Sequence, residues 1–161
     1  MPPAGVRTRR ATAADAEALA GLAHGWYGGD AGRWRTTMAT ALEQGERVVV
    51  AECDGETVGY AKAGERLPTG PDDPAPAGTW LTGAVVAEQH RRAGVAGALV
   101  GLLLAELRPA GRPVWSMADA GNRASLALHA RAGFTEVLRA PSMLGEDFRS
   151  GEGVLLRLDP S

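Results

Sequence analysis

The sequence predicts a single domain of the α/β class (α+β type), with a mixed central sheet of about six to seven strands flanked by about four helices. A length of 161 residues suits one domain over residues 1–161 with a sizeable core. β-rich runs joined by tight turns occur beside runs of helical periodicity, so both hairpins and helical crossovers are expected. A sheet built from both kinds of connection contains parallel and antiparallel strands.

The first third of the chain predicts one strand and two helices. Residues 6–9 form a short β-rich run, and Thr12 is a helix N-cap with Asp15 in the first turn. An apolar stripe follows at helical spacing: Ala16, Leu19, Ala20, Leu22 and Ala23. The glycine-rich segment 25–32 predicts a break before a second, shorter helix, which ends at Gly45.

A hairpin and a long loop come next. Runs 47–53 and 57–62 are rich in β-formers and flank Asp54-Gly55, a dipeptide typical of tight hairpin turns. Residues 67–78 contain four prolines, which predicts a long and mobile loop.

The second half of the chain alternates strands with helices. Predicted strands cover 80–86, 113–118, 135–138 and 154–158, and predicted helices cover 94–107 and 122–132. Each of the two helices connects two strands, as expected for crossovers in a mixed sheet.

Composition excludes several classes of function. A net charge of -2 and a pI near 5.9 give no general field that attracts polyanions, so nucleic acid is not expected as a partner. Cys53 is the only cysteine, so neither an internal disulfide nor a cysteine-based metal site is expected. The longest apolar segment, 95–107, is too short to span a bilayer. We therefore expect a cytoplasmic protein with no membrane partner and no metal.

The segment after the strand 80–86 predicts an anion site. A helix begins near Gly94, and Ala96 and Gly97 in its first turn are small. Free N–H groups at a helix start favour an anion, and small residues let it approach the backbone. Arg91 and Arg92 add positive charge that pairs well with phosphate. The sequence therefore predicts a phosphate site.

Two motifs resemble those of one family. Arg91-x-x-Gly94-x-Ala96 resembles the Arg/Gln-x-x-Gly-x-Gly/Ala signature with which GNAT acetyltransferases hold the pyrophosphate of coenzyme A. Residues 122–134 resemble the later family segment Asn-x-x-Ala-x-x-Leu-Tyr-x-x-x-Gly-Phe, with Ser125 in place of alanine and His129 in place of tyrosine. The order of the predicted elements agrees over nearly the whole chain, which implies the GNAT fold.

The resemblance implies acetyl-coenzyme A as cosubstrate. Main-chain groups at the end of the strand 80–86 would pair with the pantetheine arm, and backbone N–H groups of the following loop would hold the pyrophosphate. The implied cofactor residues are Ala84, Val85, Val86, Arg91, Arg92, Ala93, Gly94, Val95, Ala96, Asn122 and Ser125. Asn122 is equally well suited to cap the helix that it precedes.

The resemblance also implies the catalytic groups. His129 stands where the family has a tyrosine that acts as general acid on the departing thiolate. A neutral imidazole is a weaker proton reservoir than a phenol, but it can still donate an N–H hydrogen bond. Glu65 and Asp119 are candidate bases. The reaction itself requires no metal.

The acceptor is the least determined part of the prediction. Trp26, Tyr27, Asp30 and Trp34 fall in the segment that would form the acceptor wall, and they suit a cationic or aromatic amine. We expect acetylation of a primary amine of a small molecule, such as a metabolite or an antibiotic-like amine, by a monomer or homodimer. Acetylation of a protein N-terminus or lysine stays open. A catalytically silent module that only binds acetyl-coenzyme A also stays open, because the tyrosine of the family is replaced here.

Overall fold

The computed structural model describes residues 2–161, which form a mixed sheet with four α-helices. The elements are β1 (Val6–Arg10), α1 (Ala16–Tyr27), α2 (Ala31–Glu43), β2 (Arg47–Cys53), β3 (Glu56–Arg66), β4 (Gly78–Val86), α3 (Val95–Leu107), β5 (Val114–Asp119), α4 (Arg123–Ala132), β6 (Thr135–Ala140), β7 (Ser142–Met143), β8 (Glu146–Asp147) and β9 (Gly153–Leu158). Seven strands share one sheet in the order β1-β2-β3-β4-β5-β9-β6. The pair β4–β5 is parallel, whereas β1–β2, β2–β3, β5–β9 and β6–β9 are antiparallel. The predicted fold class is confirmed.

The chain divides into two compact units. The first contains residues up to Ala63 together with Gly83–Glu106, and the second contains Gly64–Thr82 together with Leu107–Ser161. The description of one domain over residues 1–161 stays a prediction.

In the first unit, α1 and α2 bury their apolar stripes against strands. The cluster comprises Leu19, Ala20, Ala23, Met38, Val48, Val50, Tyr60 and Val85. Arg9 on β1 donates to both carboxylate oxygens of Asp15, at 2.9 Å each, and through Nε to Glu52 on β2 at 2.8 Å. Asp15 also accepts from the N–H of Thr12 at 2.7 Å, which confirms the predicted helix start.

The predicted break between the first two helices is too long. α1 continues through Gly25 to Tyr27 and ends where Gly28 adopts φ 73. α2 then begins at Ala31, with Asp30 as its N-cap. A glycine inside a helix costs only about 1 kcal/mol, which burial of the helix's apolar stripe offsets. As a result, Tyr27 lies in the last turn of α1 rather than in a loop.

The predicted hairpin is confirmed. Asp54 and Gly55 both have positive φ, 51 and 80, as a two-residue turn of type I′ requires. β2 and β3 pair in antiparallel fashion from Arg47↔Ala63 to Cys53↔Glu56. β3 extends to Arg66 rather than ending at Lys62.

In the second unit, the loop between β3 and β4 is anchored by one carboxylate. Asp73 accepts from the N–H groups of Thr69 (2.9 Å), Ala75 (3.0 Å) and Leu144 (3.2 Å). These bonds, that of Thr69 foremost, lower the pKa of Asp73. Ala75, one of these donors, belongs to a buried cluster together with Trp80, Met143 and Leu155. The loop predicted to be mobile is therefore held by its own hydrogen bonds, and Asp73 is committed to them.

Candidate active site

The loop between β4 and α3 presents a run of unused backbone donors. Arg92 and Gly94 adopt left-handed φ values of 62 and 84. Within the described chain, no hydrogen bond uses the N–H groups of residues 92–97, and Ala98 is the first to donate, to the carbonyl of Gly94 at 3.1 Å. A 13-residue helix follows, whose dipole places partial positive charge at this end. The loop has the donors and the field that an anion requires.

Both ends of this loop are fixed by packing. The N–H of Ala87 donates to the carbonyl of Val58 on β3 at 2.8 Å, and a short 3-10 turn at Glu88–His90 follows. On the other side, α3 buries Val95 and Leu99 almost completely. The apolar face of α3 therefore orients its N-terminus.

Arg91 is held in place by two contacts. Its Nε donates to the carbonyl of Val86 at 2.9 Å, and its guanidinium carbon lies 4.4 Å from the ring centroid of Trp26. The two terminal Nη atoms donate no hydrogen bond within residues 2–161. Arg91 thus has an inner edge bound to the strand and an outer edge without an acceptor. The contact with Trp26 has no signature in the sequence, because the two residues are far apart along the chain.

The β4 strand has a short ladder with β5. The two strands pair in parallel at Thr79↔Val114 and Trp80↔Trp115. Further along β4, the first unit leaves Ala84 exposed while Val85 and Val86 are buried. That these three residues contact the pantetheine arm stays a prediction.

Asn122 caps α4. Its side-chain oxygen accepts from the N–H of Ser125 at 3.1 Å, which confirms the capping alternative. The Ser125 hydroxyl lies 3.4 Å from Nδ1 of His129. The predicted cofactor contacts of Asn122 and Ser125 stay predictions.

His129 is buried, with 8% of its surface exposed, and both ring nitrogens are bonded. Nδ1 lies 2.7 Å from the carbonyl oxygen of Ser125, and Nε2 lies 2.7 Å from Oγ of Ser116, itself 4% exposed. A carbonyl oxygen only accepts, so Nδ1 carries the proton of the neutral ring, and Nε2 accepts from the Ser116 hydroxyl. Burial lowers the pKa of His129, and the Ser125 carbonyl opposes that shift. The N–H that we expected to reach the thiolate is used inside α4.

The lowered pKa of His129 predicts a loss of stability in mild acid. Because the unfolded ring binds a proton more readily than the buried one, the free energy of unfolding is expected to fall as pH drops below about 6.5, and to be fully retained above it. Urea unfolding at about pH 7.5 and about pH 5.5 measures this difference, and carboxylates with lowered pKa titrate below that window. His129→Phe should weaken the dependence. An equal dependence in that variant would contradict the prediction.

The two predicted bases both belong to the second unit, and both already accept hydrogen bonds. Glu65 accepts from the Thr79 hydroxyl at 2.9 Å and is exposed. Asp119 accepts from the N–H groups of Gly121 (2.8 Å) and Ser150 (2.9 Å), and these bonds, those of Ser150 foremost, lower its pKa. A lowered pKa makes a carboxylate a weaker base. Asp119 therefore lacks the raised pKa of a specialised base.

The predicted acceptor residues cluster at the end of α1 and the start of α2. Trp26 and Tyr27 are 50% and 53% exposed, and Tyr27 stacks on Trp34 with centroids 5.4 Å apart. Trp34 donates through Nε1 to the carbonyl of Gly28 at 2.7 Å. Asp30 caps α2 by accepting from the N–H groups of residues 32 and 33. The aromatic rings are therefore presented to solvent, whereas the carboxylate is used locally.

Two further features of residues 2–161 bear on function. Their His, Cys, Asp and Glu side chains form no group of three or more that is arranged to hold a metal ion. None of their helices combines the length and the apolar character that crossing a membrane requires.

Comparisons with known proteins identify the family and the fold. The chain resembles the ribosomal-protein-alanine N-acetyltransferase of Brucella melitensis (25% identity, TM-score 0.75, covering 95% of this chain and 99% of that one). It also resembles yncA of Salmonella typhimurium, solved with its cofactor acetyl-CoA (22% identity, TM-score 0.76, covering 98% of this chain and 95% of that one). A third similar structure is a phosphinothricin acetyltransferase of Sinorhizobium meliloti in complex with AcCoA (17% identity, TM-score 0.76, covering 98% of this chain and 89% of that one). Curated proteins gave no match. Because the Acetyltransferase (GNAT) family profile matches residues 15–134, the chain belongs to the GNAT family of acetyltransferases, with acetyl-coenzyme A as its cosubstrate.

Proposed function

We propose that this enzyme transfers the acetyl group of acetyl-coenzyme A to the primary amine of a small molecule, by direct attack of the amine on the thioester. The family gives the reaction class. The observation that carries the proposal is the run of unused N–H groups at residues 92–97, at the N-terminus of a long helix. That arrangement suits the pyrophosphate of the cosubstrate.

Each part of the cosubstrate has a proposed partner. The backbone of residues 92–96 binds the pyrophosphate, with the outer edge of Arg91 and the exposed Arg92 adding charge. The main chain of residues 84–86 pairs with the amides of the pantetheine arm. Asn122 and Ser125 contact the cofactor in addition to capping α4.

The reaction needs a group that handles a proton. The amine nitrogen forms a bond to the thioester carbon, the carbon–sulfur bond breaks, the nitrogen loses a proton and the thiolate gains one. We assign the accepting half to the neutral ring of His129 acting through the Ser116 hydroxyl: as Oγ takes the proton of the amine, it passes its own proton to Nε2, which lies 2.7 Å away. The lowered pKa of His129 keeps the ring unprotonated near neutral pH, so that Nε2 can receive this proton. Glu65 and Asp119 stay as alternative bases.

The acceptor wall favours an aromatic or apolar amine. Trp26 and Tyr27 offer exposed ring surface, while Asp30 is occupied as a helix cap. An amine with an aromatic body gains from stacking, and its charged form gains from the ring faces. A polycation would require free carboxylates at the wall.

A second candidate function is acetylation of a protein N-terminus. The observation in its favour is the 25% identity to a ribosomal-protein-alanine N-acetyltransferase. A lysine acetyltransferase and a silent acetyl-coenzyme A-binding module are further alternatives. We also propose a cytoplasmic location, consistent with the free thiol of Cys53, and either a monomer or a homodimer.

An acceptor panel separates these functions. Thiol release from acetyl-coenzyme A is followed with aromatic amines, aliphatic diamines, alanine-initiated peptides, lysine peptides and no acceptor. We expect aromatic small amines to accelerate release most. Faster release with alanine-initiated peptides would replace the proposal with N-terminal acetylation, and no acceleration with any acceptor would favour the silent module.

A further inference from the structure

Arg91 joins two elements of the first unit. Its Nε is bound to the carbonyl at the end of β4, and its guanidinium carbon lies over the ring of Trp26 in the last turn of α1, 4.4 Å from the ring centroid. An exposed arginine on a loop ordinarily samples many rotamers, which costs free energy when a ligand immobilises it. Here one hydrogen bond and one ring contact already restrict it.

The geometry leaves the binding edge of Arg91 open. A guanidinium has five N–H donors in a plane, and the bond to Val86 uses only the one on Nε. The cation–π contact with Trp26 supplies no acceptor oxygen, so the Nη donors keep their capacity to bind a ligand. The remaining Nη donors are therefore preorganised for a forked contact with phosphate oxygens.

Trp26 is not part of the buried core of the first unit. Half of its surface is exposed. The cation–π contact with Arg91 distinguishes Trp26 from its neighbour Tyr27, whose ring stacks on Trp34.

We propose that Trp26 is a positioning residue for the cosubstrate: its ring holds the Arg91 guanidinium in the orientation that receives the pyrophosphate of coenzyme A. The inference rests on the proposed function, because it requires that Arg91 contacts that group. It assigns Trp26 to the cosubstrate rather than only to the acceptor wall.

The test is a double-mutant cycle on coenzyme A binding, measured by calorimetry with wild type, Trp26→Ala, Arg91→Ala and the double variant. Trp26→Ala is expected to weaken binding about three- to tenfold, as loss of a cation–π contact implies. The double variant should bind no worse than Arg91→Ala, and Trp26→Phe should recover most of the affinity. His24→Ala, on an exposed residue of the same helix, is the matched control and should bind as wild type.

A second readout separates positioning from structure. Acetyl-pantetheine lacks the pyrophosphate, so Trp26→Ala should lower kcat/KM about three- to tenfold less with acetyl-pantetheine than with acetyl-coenzyme A, because any loss through the acceptor wall is common to both donors. Wild-type affinity in Trp26→Ala, or additive losses in the cycle, would overturn the inference. Failure of the wild-type enzyme to bind coenzyme A would instead overturn the proposed function.

Discussion

Gly94→Val is expected to weaken acetyl-coenzyme A binding by about a hundredfold or more while the protein stays folded. The residue has φ 84, and a β-branched side chain at such a φ costs on the order of 1–3 kcal/mol. The loop can relieve that strain only by rotating the backbone whose N–H groups would hold the pyrophosphate. An added Cβ meets no protein atom within 4 Å, so the expected loss comes from backbone geometry and from the ligand's approach. Calorimetry measures the affinity.

Gly45→Val is the matched control for this change. Gly45 also has a positive φ, 76, and also has open space around its Cβ position, but it lies between α2 and β2. We expect a comparable loss of stability in the two variants, seen as a similar fall in Tm, and a loss of affinity only at Gly94. Unchanged affinity in a folded Gly94→Val protein would contradict the pyrophosphate assignment.

His129→Ala is expected to lower turnover by roughly ten- to a thousandfold, the range of general acid–base catalysis and somewhat below it, with cofactor affinity within a few-fold of wild type. Because the neutral ring accepts through Nε2, activity should fall as pH drops through the lowered pKa of His129. A ring that donated a proton would instead lose activity as pH rises. Steady-state kinetics over that pH range with a saturating acceptor gives the sign.

The same substitution removes a buried ring and leaves the Ser116 hydroxyl without its partner, which costs about 2–4 kcal/mol of stability. His129→Gln retains more of the packing and provides a folded second variant with no titratable ring. His129→Tyr restores the residue typical of the family, but a phenol with a pKa of about 10 donates near neutral pH, so recovered turnover in this variant would indicate a donor role at position 129. Wild-type turnover in both the Ala and the Gln variants would show that His129 has no catalytic role.

The fold could be predicted from the sequence because its signals are local. Alternation and turn chemistry gave the β2–β3 hairpin around Asp54-Gly55, and helical spacing gave α3 and α4. The helix end at Gly28 was harder, because whether Gly25 breaks a helix depends on how much tertiary packing compensates. The hairpin of β7 and β8 was missed, since its strands have only two residues each and show no periodicity.

In the candidate site, too, the local features could be predicted from the sequence and the contacts between distant residues could not. The phosphate loop is one continuous segment, so residue types and spacing were sufficient to predict it. The Ser116–His129 bond and the Trp26–Arg91 contact join residues that are distant in sequence, and a single sequence contains no signal for such contacts. The commitment of Asp73 to backbone donors is likewise a consequence of tertiary structure.

Product stoichiometry tests the central claim most directly. The enzyme is incubated with acetyl-coenzyme A and the best acceptor of the panel, and free coenzyme A and acetylated amine are quantified together by mass spectrometry. We predict that the two products appear in equal amounts with the wild-type enzyme and that both fall sharply with Gly94→Val. Release of coenzyme A without acetylated amine, or equal rates in the two proteins, would contradict acetyl transfer at this site.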